Sequence, residues 1–274
     1  MDSAAAAACP ALTTTEYKEI YSVILTRYSG RENARKCIGK FLSELVLPQQ
    51  GGLRVLLIGP GKGVDELKLL APYQIDHLLA IEPSKDMADE LEINLHASAS
   101  FIKKWNIERT DIESYLKDAN HDDGPFDVIL MIHSVYYPTH RGDTIRQIRS
   151  LLRPHTGQFM LVIIFGCYST ITSKYIPSSK HGYNADDLAN DLSSVDIPFE
   201  RYKNNVRLDV TDIKDDSHLR WVFASFFLTV NVAHADESLT SGVINDLIDM
   251  ANRTDDGKLK IEYREDVFVI RPME

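Results

Sequence analysis

Mostly apolar runs recur along the chain at 55–58, 78–81, 101–105, 126–132 and 157–165. Runs of this kind, bounded by turn residues, read as strands buried on both faces of a parallel sheet. Between them the apolar positions return at helical spacing. Val64, Leu67 and Leu70 share one helix face, and residues 85–95, 112–116 and 141–152 continue the pattern. Strand alternating with helix predicts an α/β architecture built on a parallel sheet.

Two helices precede the first run. Tyr17, Ile20, Tyr21, Ile24 and Tyr28 mark one, and Cys37, Ile38, Phe41, Leu42 and Leu45 the other. They form a cap that can lie over a ligand; equally, Tyr17, Tyr21 and Tyr28 simply pack. After the fifth run, residues 166–183 are rich in Ser, Thr and Tyr and read as a lid or substrate loop. Asn184 caps a further helix, 199–208 alternates as a strand, and 219–232 and 242–251 are helical. Residues 258–263 and 266–270 read as a terminal hairpin or paired strands. The alanine-rich residues 1–13 read as a disordered tail.

The stretch that organises the chain is LRVLLIGPGKGVDELKLLAPYQIDHLLAIEPS at 53–84. A strand ends in Gly59-Pro60-Gly61-Lys62-Gly63, a helix follows, and a second strand ends in Glu82. The glycines permit a tight turn and close approach of backbone to a ligand. An acid at the end of the second strand accepts hydrogen bonds from ribose hydroxyls. Glu82 lies 23 residues after Gly59, against roughly 20 for a nucleotide-binding βαβ unit. The G-x-G-x-G spacing, the acids Asp65 and Glu66 at the helix start and the absence of a phosphate-loop motif disfavour a dinucleotide. A nucleoside with an amino-acid tail fits better, which points to S-adenosylmethionine. The bland alternative is a turn whose glycines serve packing alone.

Further candidates fall where strands end. Thr110 and Asp111 follow the third run and can meet an adenine amino group; a helix cap is the equal and compatible alternative. His133 leaves the carboxyl end of the fourth run, the edge where open α/β sheets bind ligands. It can take a proton from a nucleophile or hydrogen-bond a substrate, although a lone histidine is commonly structural.

Composition narrows the partners. The 274 residues carry 30 basic and 40 acidic side chains, a formal charge of −10. Nucleic-acid binders show a basic surface, so no nucleic-acid partner is expected. No apolar run reaches the roughly 18 residues that span a bilayer, so no membrane partner is expected either. Cys9, Cys37 and Cys167 have no metal-like spacing, and no metal is expected. So sparse and odd a cysteine count fits a reducing compartment, and the expectation is a cytoplasmic monomer.

Residues 17–271 resemble histamine N-methyltransferase and its relatives, within the class I S-adenosylmethionine-dependent methyltransferases. The resemblance is carried by LLIGPGKGVDELKLL, IEPS, MIHSVYY, IRQIRSLLRPHTGQFMLVII, NADDL and the closing VFVIR. It implies a seven-stranded Rossmann-like sheet with helices on both faces and a small substrate and cap lobe. It also implies one methyltransferase domain over 14–274: a cap at 14–50, a cofactor core at about 51–165, and substrate-lobe insertions with C-terminal strands at about 166–274.

By this resemblance Gly59, Pro60, Gly61, Gly63, Glu82, Ser84, Thr110, Asp111 and Ile132 line the cofactor site. Tyr136 and Tyr137 border the substrate, and Tyr21 matches a tyrosine of the family's cap. The family's pocket glutamate falls at Ala34, its pocket glutamine at His133, and its late asparagine near Tyr263. Its two substrate-loop tryptophans are missing, with Tyr168 and Tyr175 the nearest aromatics.

The expected activity is methyl transfer from S-adenosylmethionine to a small molecule, leaving S-adenosylhomocysteine. The expected acceptor is an amine or imidazole nitrogen of a histamine-like or histidine-derived compound, with His133 orienting or deprotonating it. The alternatives are O- or S-methylation of another metabolite, or a silent cofactor-binding partner protein.

Overall fold

The computed structural model describes residues 6, 9–44, 51–98, 100–118, 124–165, 167–176 and 182–273, with the backbone alone at 31, 161–165 and 167–169. Its elements are α1 (Thr14–Arg27), α2 (Gly30–Ser43), β1 (Leu53–Ile58), α3 (Val64–Leu70), β2 (Ile75–Ile81), α4 (Lys85–Ala97), β3 (Trp105–Glu108), α5 (Ile112–Lys117), β4 (Val128–Ile132), α6 (Arg141–Ser150), β5 (Gln158–Phe165), α7 (Cys167–Tyr175), α8 (Ala185–Ser194), β6 (Phe199–Asp209), α9 (Ser217–Leu228), α10 (Glu237–Asp249), β7 (Asn252–Arg253) and β8 (Leu259–Ile270).

The strands make a sheet in the order β3-β2-β1-β4-β5-β8-β6, and short β7 pairs with β8 outside this path. The expected seven strands are therefore present, with β7 as an addition. β1 pairs parallel with β2 on one side and β4 on the other, so Val55 lies between Leu78 and Val128. From β1 the chain winds outward through β2 to β3, and later returns to β4 and β5. The strand order thus reverses between β1 and β4, and a crevice forms outside their carboxyl ends.

The chain divides into two units. One comprises 34–163, 185–203 and 266–274; the other comprises 1–33, 164–184 and 204–265. The sheet unit has its own core, in which Val55, Leu57, Leu78, Leu91 and Val128 are fully buried. Burial of such a side chain contributes about 1.5–3 kcal/mol, which explains why β1 is apolar on both faces. The other unit packs α1, α9 and α10 around Ile20, Phe223, Phe227 and Val243.

This division differs from the expected cap at 14–50. α1 starts with a capping box in which Thr13 and Glu16 satisfy each other's backbone N–H groups, and Ile20 and Ile24 bury in the core with α9. From Ala34 onward, α2 instead buries Ala34, Ile38, Phe41 and Leu42 in the core of the sheet unit. Residues 45–50 lie outside the described residues. The expected disordered tail also differs within 9–13: Ala11 bridges Val230, and Asn231 donates its N–H to the Pro10 carbonyl at 2.8 Å.

Four local expectations need correction. The third strand is Trp105–Glu108 and not 101–105, because the register Leu78 to Trp105 and Ile81 to Glu108 is the one that pairs with β2. The supposed loop at 166–183 contains helix α7, anchored by Ile171 and Tyr175 in the core; residues 177–181 lie outside the described residues. The helix expected at 219–232 stops at Leu228, since Thr229 turns left-handed at φ 55° and ends it. The terminal pair of strands is one 12-residue strand, β8. The charged residues at its centre are accommodated without a turn: Glu265 is fully buried and accepts a hydrogen bond from the Tyr28 hydroxyl.

Candidate functional site

The site grows from the carboxyl ends of β1, β2, β3 and β4. Behind β1, Gly59 takes φ 61° and Gly63 takes φ 69°. Both positive angles favour glycine. Space enforces the choice as well: a Cβ on Gly59 would lie 2.6 Å from the Ser134 Cβ, and one on Gly63 would lie 2.4 Å from a Leu91 methyl.

Glu82 organises the turn. It is only 5% exposed. Its Oε2 accepts the Gly61 N–H at 2.8 Å, and its Oε1 accepts the Ser84 N–H at 2.9 Å. Burial pushes its carboxyl pKa up, and these two backbone donors oppose the rise. The Glu82 N–H in turn donates to the Glu108 carbonyl at 2.9 Å, which levels the ends of β2 and β3. Helix α4 grips the glycine turn from outside: Asn94 donates to the Lys62 carbonyl at 2.8 Å, and Glu90 pairs with the Lys62 ammonium at 2.7 Å.

Ser84 caps α4 by accepting the Met87 N–H. Asp111 caps α5, accepting the Ser114 N–H at 2.9 Å and the Ser114 hydroxyl at 2.7 Å. The hydroxyl first and the N–H second hold its carboxyl below the usual range. The cap role anticipated for Asp111 is thus present. It leaves the carboxylate exposed on the edge that carries half-buried Thr110.

β4 ends at half-buried Ile132, and His133 follows with φ 54°. A non-glycine residue in this region carries a backbone cost of about 1–2 kcal/mol. Buried Ser134 donates its hydroxyl to the Ile58 carbonyl at 2.6 Å, tying the end of β4 to the end of β1. Tyr136 is buried and Tyr137 is 55% exposed, and their rings meet edge to face at 6.5 Å and 90°. Desolvation raises the Tyr137 hydroxyl pKa, and the Glu82 carboxylate adds to the rise.

The sheet unit thus gathers Gly59, Pro60, Gly61, Gly63, Glu82, Ser84, Thr110, Asp111, Ile132, His133, Tyr136 and Tyr137 at its carboxyl edge. Ala34 belongs to the same unit but lies in its hydrophobic core, 6% exposed. Tyr21, Tyr168 and Tyr263 belong to the other unit. There Tyr21 stacks on Tyr17 at 5.6 Å and Tyr263 stacks on Tyr28 at 6.0 Å. Tyr168 lies in α7, and its side chain is outside the described residues. Ser134, Asn94 and Glu90 shape the turn without having been singled out in the sequence. Only the geometric crowding at Gly59 and the loop carbonyl at Lys62 reveal them.

These residues fit an adenosine ligand. An ionised carboxylate offers about four lone-pair sites. Each Glu82 oxygen uses one on a backbone N–H and keeps capacity for a ribose hydroxyl. Among the described residues, no group of three or more His, Cys, Asp and Glu is placed to hold a metal ion, and no helix is long and apolar enough to cross a membrane.

A reversing parallel sheet with a glycine turn and a ribose-type acid defines a nucleotide-cofactor protein. The family model described as "Methyltransferase domain" matches residues 30–204, and the chain belongs to that family. Comparison with curated proteins finds no match. Among solved structures, the YcgJ protein from Bacillus subtilis is similar at 14% identity and TM-score 0.58, over 86% of this chain and 98% of that one. The plantazolicin methyltransferase BpumL in complex with SAH is similar at 14% identity and TM-score 0.52, over 95% of this chain and 92% of that one. Fold and family together make the chain an S-adenosylmethionine-dependent methyltransferase of the class I fold.

Proposed function

We propose that the chain methylates an amine or imidazole nitrogen of a small, histamine-like or histidine-derived molecule. The observation that carries this reading is the edge-to-face pair Tyr136 and Tyr137 beside His133, at the edge that also holds Glu82. Aromatic faces favour flat or cationic partners. The S-adenosylhomocysteine held by the plantazolicin methyltransferase supports the same product here.

S-adenosylmethionine supplies a methyl group that its sulfonium already activates. Glu82 would hold the ribose hydroxyls, the turn at 59–63 would receive the amino-acid tail, and Thr110 and Asp111 would meet the adenine. The tyrosines would hold the acceptor and orient its lone pair toward the methyl group. His133 orients the acceptor nitrogen or takes its proton. The protein acts as a monomer on a small molecule, with no nucleic-acid or membrane partner, in the cytoplasm.

The test is calorimetric titration with S-adenosylmethionine and S-adenosylhomocysteine, followed by a panel of imidazoles, amines and phenols assayed for S-adenosylhomocysteine release. Turnover of the nitrogen compounds alone supports the reading. Turnover confined to phenols overturns it in favour of O-methylation. Cofactor binding without turnover of any compound favours a silent partner protein.

A further inference from the structure

We propose that Glu113 is a positioning residue for methyl transfer, holding the segment between β4 and α6 in the path that presents Tyr136 and Tyr137. This rests on the reading that the carboxyl edge of β4 receives the acceptor.

The segment 133–140 has no regular structure of its own, and three side chains grip it. Ser134 ties its start to the Ile58 carbonyl. Arg141, the first residue of α6, donates to the Tyr136 carbonyl at 2.9 Å. The third grip comes from a different element: the Glu113 Oε1 accepts the N–H groups of Thr139 at 3.0 Å and His140 at 3.1 Å. His140, the N-cap of α6, makes no side-chain cap of its own; Glu113 instead accepts the N–H of His140 itself and of the residue before it, fixing the chain as it enters the helix. Bonds from backbone N–H to a carboxylate are charge-assisted and stronger than neutral ones.

The origin of the grip matters. Glu113 is the second residue of α5, the helix that Asp111 caps directly after β3. Asp111 stands on the adenine edge of the proposed site. Glu113 therefore registers the acceptor side of the site against its cofactor side. It is half-buried and is not part of the hydrophobic core.

The experiment compares full-length wild type, Glu113→Ala and Glu113→Gln. It reads amide hydrogen exchange across 134–140, S-adenosylhomocysteine affinity, and KM for S-adenosylmethionine and for histamine as probe acceptor. In Glu113→Ala, exchange at Thr139 and His140 is expected to rise about tenfold or more, and histamine KM about tenfold, with both cofactor constants within about twofold. Glu113→Gln keeps an acceptor oxygen and is expected to restore most of both. Unchanged exchange overturns the proposal, as does an equal loss in both KM values, which marks a merely structural role. If wild type does not methylate histamine, KM is read for a nitrogen compound of the panel that it does turn over; turnover of none removes the acceptor reading and the proposal with it, whereas unchanged exchange removes the Glu113 grip alone.

Discussion

The Glu82 carboxylate closes the glycine turn on itself, one oxygen accepting the Gly61 N–H at 2.8 Å. The side chain proposed to serve the ribose thus also shapes the glycine turn. Glu82→Ala removes both roles. Hydrogen bonds to charged groups contribute about 1.5–3 kcal/mol, so calorimetry should show cofactor affinity falling about tenfold to a hundredfold. Glu82→Gln, with one acceptor oxygen left, should fall between.

The raised pKa of Glu82 predicts a pH effect with a definite sign. In the folded chain the proton is held more tightly than in the unfolded one. The contribution of Glu82 to stability is therefore full below the ordinary carboxylate range and is lost as pH rises through the raised folded value. Cofactor binding runs the opposite way, because ribose hydroxyls donate to the charged form. Affinity should be full above the raised pKa and fall as pH drops through it. Calorimetry in two buffers of different ionisation enthalpy should show proton release on binding near that pH.

Gly59 and Ser134 form a coupled pair, since the Cβ of an alanine at 59 would lie 2.6 Å from the Ser134 Cβ. Gly59→Ala should destabilise by about 1–3 kcal/mol through positive φ and the clash. Adding Ser134→Gly relieves only the clash. In a double-mutant cycle by chemical denaturation the two changes should be non-additive, with a coupling of about 0.5–3 kcal/mol.

His133 permits a separation of backbone from chemistry, because its φ is 54°. His133→Gly should melt higher than His133→Ala, since glycine accepts this angle without strain. Both variants should lose turnover, by about a hundredfold if the imidazole moves a proton, with cofactor affinity unchanged. Equal loss of cofactor binding would show that the residue supports the fold and not the transfer.

In the other unit, Tyr28 donates to fully buried Glu265. Tyr28→Phe removes a donor to a buried acceptor and should cost about 1–3 kcal/mol of stability, read by denaturant unfolding.

The glycine turn and Glu82 were legible because they lie in one continuous stretch. Gly59, Gly63 and Glu82 are set by local backbone needs that sequence spacing reports directly. The acceptor half was harder to read. Tyr136 and Tyr137 follow a strand and were visible, whereas Glu113 and Asn94 act on backbone groups 26 to 32 positions away, and no periodicity encodes such pairs. Ala34 illustrates the opposite problem: the position aligned with the family's pocket glutamate, but α2 buries it among Ile38 and Leu42. Strands at 258–263 and 266–270 leave Arg264 and Glu265 between them, but β8 runs straight through: Glu265 and Asp266 are buried, Asp266 paired with Arg201.

Each of the two units is assembled from three separate stretches of chain, and β8 belongs to one through residue 265 and to the other from 266. No single cut yields either unit whole. Removal of residues 1–33, or of the residues from 266 on, takes from one unit alone, and any longer terminal truncation takes from both. Replacing one contiguous segment by that of a relative therefore cannot exchange one unit whole and leave the other untouched.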